Sequence, residues 1–412
     1  MKTIVKKNKK CLICGNSIIK YLDLGNQAFA NSYIKKSDLK KKELKAPLQV
    51  LFCKKCKLAQ LGNIVSRKHI FRDYAYLSST SPQLESYFKE YTTHVVSMFP
   101  KQSRGLVVEV GSNDGILLKY FKKNGSNVLG IDPARNIAKI ANKKGVRTIP
   151  EFFNTKTAKT VLRRFDKANI ITANNVLAHT DNLHEILKGT KLLLDENGVC
   201  IFEVQYLYDL IKKNQFDNTY HEHVCYFSFN PLSILFNMYG LEIFYVKHTN
   251  AQGGSIRVFA GYTGRRKIDK SVTKFIQSEK KARLYNIETY KKFSKKPKEL
   301  KNELVTLLKN LKKENKKIIG YGASAKGNTL LQYSKLDNKI IDYIVDTAKS
   351  KQGKFTPGTH IPIVPVSEIK NNIPDYVLIL AWNYADSIIK KEAWLKKKGV
   401  KFIIPIPKVK IV

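Results

Sequence analysis

The chain is 412 residues long and carries a formal net charge of +41, from 74 Lys and Arg against 33 Asp and Glu, with 43% hydrophobic residues. The hydrophobic share supports packed cores and excludes a disordered chain, and the length points to two or three domains. No run approaches the ~18–20 apolar residues of a membrane span, and the basic start MKTIVKKNKK has no apolar stretch behind it, so neither a membrane anchor nor a secretory leader is expected and the expected compartment is the cytoplasm.

The surplus charge is mostly lysine, spread over segments such as KKSDLKKKELK and KKFSKKPKELK that read as solvated helix faces. It forms no basic stripe interleaved with aromatics, the pattern of single-strand binders, so no nucleic-acid partner is expected.

At the front, Cys11-x-x-Cys14-Gly15 and Cys53-x-x-Cys56 are two CxxC turns. Each turn can place two thiolates on one side of a zinc ion, and two turns close a tetrahedron with no open position, so a structural zinc is expected there. A pair of disulfides is the competing reading, which a cytosolic setting disfavours. Cys200 and Cys225 have no partner spacing, and Cys200, in the strand-like VCIFEV, reads as core.

The next segment, LVVEVGSNDGILLKYFKK (106–123), predicts a strand, a turn bracketed by Gly111 and Gly115, and a helix. A second strand, Asn127–Ile131, ends in Asp132, 21 residues after Gly111, where a Rossmann-like unit places an acid for a ribose. The third glycine of a pyrophosphate loop is missing, which favours a cofactor without phosphates, such as S-adenosylmethionine. NIITA (169–173) and VCIFEV (199–204) continue the strand–helix rhythm and imply a parallel sheet. Ligands on such sheets sit at the carboxyl ends of the strands, where Gly111–Gly115, Asp132, Asn174 to His179 and Glu203–Tyr206 fall.

Residues 219–226 read TYHEHVCY. A zincin motif spaces its histidines four apart on a helix, and here they are two apart, so acid–base chemistry is favoured over a metal. Tyr220, Glu222 and His223 form a plausible set, since histidine titrates near neutrality, tyrosine can donate to an oxyanion and a carboxylate can hold a tautomer or a partner. In an extended segment, His221 and His223 would point the same way, opposite Glu222; no role is assigned to His221.

A charged helical stretch (267–317) precedes KIIGYGASAKGNTLLQYS (317–334), again strand, glycine loop, helix. Gly320, Gly322 and Gly327 surround Lys326, an anion cradle without the P-loop pattern. A further strand ends in Asp346, 24 residues after Gly322, and YVLILAW (376–382) reads as a buried strand, so a second nucleotide-type sheet is expected.

Taken together, CLICG, CKKC, YAYLSSTS (74–81), EVGSNDGILL, GIDPA, NNVLAH, FDNTYHEHVCYFS, GGSIRVF (253–259), GYGASAKGNTLLQY and DYVLILAWNY resemble, in order and over nearly the whole chain, the sugar-nucleotide C-methyltransferases, of which the TDP-sugar C-3-methyltransferases of antibiotic deoxysugar pathways are the best-known branch. The resemblance implies an α/β chain with a zinc-binding domain (1–75), a class I Rossmann-like S-adenosylmethionine methyltransferase domain (76–264) and a Rossmann-like sugar-nucleotide domain (265–412). It implies cofactor contacts at Glu109, Gly111, Asn113, Asp114, Asp132, Pro133, Asn174 and Asn175. It implies an active site of His223 as base with Tyr220, Glu222 and His179, closed by Tyr74 or Tyr76. Substrate contacts follow at Ser79, Ser81, Gly253, Gly254, Ser255, Arg257, Tyr321, Lys326 and Asn328. The implied substrate is a nucleoside-diphosphate 4-keto-deoxysugar, TDP by default, and the implied state is a monomer. Gln252 stands before GGS where many members carry histidine. Two other readings compete: O- or N-methylation of the same kind of sugar nucleotide, and a zinc-containing RNA-binding protein or RNA methyltransferase.

Overall fold

The computed structural model describes residues 4–67, 70, 77–80 and 82–412. Tyr74, Tyr76 and Ser81 lie outside the described residues.

The first large sheet has four antiparallel strands in the order Cys225–Tyr226, Ala59–Leu61, Lys45–Phe52, Ile19–Ala28. Lys45–Phe52 shows why it is a strand: Ala46, Leu48, Val50 and Phe52 are buried while the residues between them face outward or sit half-buried, the period-two pattern of a one-sided sheet. Phe52 meets Tyr290 of the Ile287–Phe293 helix at 4.3 Å between ring centroids. The first strand of this sheet is borrowed: Cys225–Tyr226 comes from far along the chain and pairs with Gln60 and Ala59.

The second sheet has seven strands in the order Leu241–Thr249, Ser255–Tyr262, Leu194–Gln205, Ala168–Asn174, Leu106–Val110, Asn127–Ile131, Thr148–Ile149. The last five run parallel and the Leu241–Thr249/Ser255–Tyr262 hairpin adds antiparallel. Helices cross between the parallel strands and cover them, so all five residues of Leu106–Val110 are buried, Glu109 included. Cys200 is core, as expected.

The third sheet has six strands in the order Ile363–Val364, Ile344–Val345, Ile318–Tyr321, Tyr376–Ile379, Lys401–Ile404, Lys410–Ile411, all parallel except the last. Strand order reverses at Ile318–Tyr321, a switch point where such sheets bind ligands beyond the strand ends. The Ala325–Ser334 helix starts there, capped by Ser324, whose hydroxyl accepts from Gly327 N at 3.0 Å.

The zinc unit is stitched to both other units. His184 connects the carbonyl of Ile13, inside the first CxxC turn, with the Tyr239 hydroxyl at 2.9 and 2.6 Å. On the other side Asn328 donates to Ala30 O, Gln332 exchanges two hydrogen bonds with the Ala28 backbone, and Tyr33 donates to Ala323 O. The segment 216–223 lies where the three units meet.

Candidate active site

The four cysteines converge. Their sulfurs all lie within 4.8 Å of one another, with Cys11–Cys56 at 3.2 Å and Cys14–Cys53 at 3.4 Å. Ligands of a tetrahedral zinc with Zn–S of about 2.3 Å sit ~3.8 Å apart, so the set fits the ion. Gln60, fully buried behind the site, accepts from Leu12 N and donates to Lys10 O, fixing the first turn.

At the ends of the parallel strands the glycine loop forms a cradle. Gly111 has φ +70°, and a Cβ there would meet Val176 Cγ2 at 2.6 Å, so only glycine fits. The Asp132 carboxylate accepts from Asn113 N at 2.8 Å and Ala134 N at 2.9 Å, clamping the loop to the next strand across Pro133. Asn175, also left-handed at φ 57°, donates its N–H to Glu203 O. Glu109 Oε2, Asp114 Oδ1, Ser112 Oγ and Asn174 Oδ1 are buried without hydrogen-bond partners among the described residues, which is what a site for a polar ligand leaves behind. These groups fit S-adenosylmethionine. Burial lifts the Glu109 carboxyl well above its usual range. Ser79 accepts from Lys144, itself paired with Asp114, so its hydroxyl stands at this loop. The third sheet repeats the device: Asp346 accepts from Ala323 N and Ala348 N, both at 2.7 Å.

The histidine stretch is a turn and not an extended segment: His223 N donates to Tyr220 O at 2.9 Å. That breaks the expected alternation, and His221 and His223 part company. His223 Nδ1 lies 2.8 Å from Asn218 O. A carbonyl can only accept, so Nδ1 carries the proton and Nε2 presents its lone pair, which accepts from the Tyr220 hydroxyl at 2.6 Å. His179 Nδ1 likewise donates to Glu222 O at 2.9 Å, and the two imidazoles stand 4.8 Å apart, edge to face. Burial keeps both neutral, His179 at about 4 and His223 well below its ordinary value, with His179 and the Lys326 charge adding to the effect on His223. Backbone carbonyls therefore hold both tautomers. The Glu222 carboxylate turns to the zinc unit, accepting from Asn31 Nδ2 at 2.7 Å. His221 is 2% exposed, donates to Ala46 O at 3.1 Å and stacks edge-on against Phe29.

Facing this turn, Lys326 is nearly buried, with Nζ 3.3 Å from Gln252 O and 5.1 Å from the Trp382 ring. Trp382 Nε1 donates to Asp217 Oδ2 at 2.5 Å. Burial lowers Lys326 to about 8, opposed by Asp217, and pushes Asp217 up to about 6, opposed by Lys326 and the indole N–H. A cleft of about 780 Å³ opens beside them, lined by Tyr87, Gln215, Gly253, Trp382, Tyr384 and Lys408 among others.

Other expected substrate contacts are committed to the fold. Arg257 is 2% exposed, paired with Glu203 Oε2 at 2.8 Å, bonded to the Tyr87 hydroxyl and stacked 3.7 Å over Tyr91, so its charge is already neutralised. Tyr321 projects to the far side of its strand and donates to Glu392. Asn328 points into the zinc unit, and the Ser255 hydroxyl donates to Ala251 O. Gly253 and Gly254 are needed for space: a Cβ on them would meet Gln215 Nε2 at 2.9 Å and Asp209 Oδ2 at 2.1 Å. Asn31, Asp217, Asn218 and Trp382 were not foreseen. Asn218 acts through its carbonyl, which leaves no side-chain signal, and in the sequence Trp382 reads as the end of a buried strand.

Three family profiles tile the chain: a zinc binding domain over residues 11–71, a methyltransferase domain over 84–246 and a C-methyltransferase C-terminal domain over 250–407. The chain is 33% identical over 414 aligned positions to C-methyltransferase NovU of Streptomyces niveus, covering 100% of this chain and 99% of that one. It is also 32% identical over 122 residues to a ubiquinone biosynthesis O-methyltransferase of Pasteurella multocida, covering 26% of this chain and 50% of that one. Among solved structures, a magnesium protoporphyrin IX methyltransferase from Synechocystis PCC 6803 with bound SAH aligns at 13% identity and TM-score 0.35, covering 43% of this chain and 83% of that one. With a whole-length relative, a methyltransferase sheet and a four-cysteine unit in one chain, the protein belongs to the C-methyltransferase family of S-adenosylmethionine-dependent enzymes.

Proposed function

We propose that the enzyme methylates a carbon next to the ketone of a nucleoside-diphosphate 4-keto-deoxysugar. Bound S-adenosylmethionine supplies an electrophilic methyl group. A carbon acceptor has no lone pair, so a base must first remove the α-proton and an acid must hold the enolate oxygen. The observation that carries the reading is the His223 Nε2 lone pair, held neutral and aimed by the Asn218 carbonyl. His223 takes the proton. Tyr220, now bonded to Nε2, transfers its hydroxyl hydrogen bond to the developing oxyanion, which releases Nε2 for the proton. His179 stands beside the pair and orients the sugar oxygens.

The nucleotide part lies across the switch point of the third sheet, in the cleft beside Trp382. Lys326, held over the Trp382 ring and bonded to Gln252 O, meets its negative charge. O-methylation also uses a base, but it forms no enolate oxygen for the Tyr220 hydroxyl to hold. The test is incubation with labelled S-adenosylmethionine and a panel of 4-keto sugar nucleotides in deuterated water, read by mass and carbon NMR. A new C–CH3 signal is expected, and deuterium at the α-carbon when S-adenosylhomocysteine replaces the cofactor. Methyl on oxygen or nitrogen only would overturn the reading.

A further inference from the structure

Trp382 sits in the short helical turn Trp382–Tyr384, just past the carboxyl end of Tyr376–Ile379, a strand at the switch point of the third sheet. Its indole has three neighbours of different kinds. One edge donates to Asp217 Oδ2 of the second unit, the face lies under the Lys326 ammonium, and the rest lines the 780 Å³ cleft. Asp217 is fully buried in the helical turn Phe216–Asn218, and the next carbonyl, that of Asn218, is the one that accepts the hydrogen bond from His223 Nδ1–H. Asn218 is itself buried, with its amide on Gln215 Oε1, and Gln215 in turn donates to Gly253 O. The turn is therefore a rigid piece, and one peptide separates its anchor from the carbonyl that sets the base.

A buried carboxylate receiving a hydrogen bond from another unit is a poor way to gain stability, since an apolar pair of the same volume would do as well. Its use lies in geometry. We propose that Trp382 is a positioning residue: through Asp217 it sets the Asn218 carbonyl, and so the tautomer and aim of His223, making the base competent only when the third sheet is docked. Given the nucleotide-sugar reading above, on which this part rests, a base stacked in the cleft braces the indole, so substrate binding and readiness of the catalytic base become one event.

The test uses the full-length zinc-loaded enzyme. Trp382→Phe keeps the ring and removes the N–H; Asp217→Ala removes the acceptor and keeps the indole. Nitrogen-15 histidine spectra of the ligand-free proteins report the His223 tautomer directly. Wild type is expected to show His223 protonated at Nδ1, and both variants to show a mixture of tautomers. In turnover with a 4-keto sugar nucleotide, kcat is expected to fall at least about tenfold in each variant, with KM for the sugar changing by less than about threefold. The double variant is expected to lose no more than either single one, because both remove the same contact. An unchanged tautomer in either variant overturns the proposal, as does a loss confined to KM, which would make Trp382 a stacking surface alone. If Trp382→Phe fails to fold, Asp217→Ala decides by the same spectra. A wild type inert towards every keto sugar nucleotide, with the tautomer shift intact, sinks the substrate reading and leaves the clasp standing.

Discussion

His221 links the catalytic turn to the zinc unit, and its burial makes that link sensitive to acid. The ring is 2% exposed, its Nε2–H bonds to Ala46 O, and desolvation holds it at about 4. In the unfolded chain the value returns to about 6.5. The folded value is the lower one, so the neutral form is native. Above pH 7 both states are neutral and nothing is lost. As pH falls below about 6.5 the unfolded state takes up a proton that the native state refuses, and stability declines until about pH 4. At pH 5 the unfolded ring is favoured by roughly 1.5 pH units, or about 2 kcal/mol at 1.36 kcal/mol per unit. His221→Gln keeps a donor for Ala46 O and cannot titrate. Urea unfolding of both proteins, followed by fluorescence from pH 7.5 to 5, should show the variant losing about 2 kcal/mol less than wild type over that range. Zinc thiolates are common to both, so they cancel in the difference. Parallel stability curves would refute the reasoning.

Three further outcomes are expected. His223→Asn should fold and bind S-adenosylmethionine normally by calorimetry, while turnover drops by about two to four orders of magnitude; activity near wild type would remove His223 from the base role. Gly111→Ala, which places a Cβ 2.6 Å from Val176, should weaken S-adenosylmethionine binding at least about tenfold in the same calorimeter, and unchanged affinity would show the loop is not the cradle. Metal analysis should return one zinc per chain, and Cys53→Ser should release it and broaden the NMR signals of His221 and His223 along with those of the zinc unit; sharp, unmoved signals for the two histidines would disprove the link between the units.

What could be read in the sequence was whatever is local. A CxxC pair, a glycine turn with an acid at the next strand end, and a strand–helix rhythm are short-range statements, and the structure places each of them. The histidine turn was legible in its residues but not in its wiring. Tyr220 and His223 meet because a turn closes over three residues, and the base is aimed by a backbone carbonyl at Asn218 that any residue could supply. Arg257, implied as a substrate contact by the resemblance, lines the cleft but is paired with Glu203, 54 residues away, a partner that no local motif reveals. Tyr321 and Asn328, implied as substrate contacts by the resemblance, are turned by strand alternation and helix rotation toward Glu392 and Ala30 O.

The strand Cys225–Tyr226 leaves the catalytic turn and completes the sheet of the zinc unit through Gln60 and Ala59, while Leu61 N reaches Val224 O. The three units are therefore not beads on a string. The zinc unit has a strand edge that the methyltransferase unit covers, and the chain that leaves the base runs straight into a strand that the zinc unit pairs. An exchange of the front segment between relatives would have to carry a matching edge for Val224–Tyr226, or leave the base on an unsupported loop beside an uncovered strand.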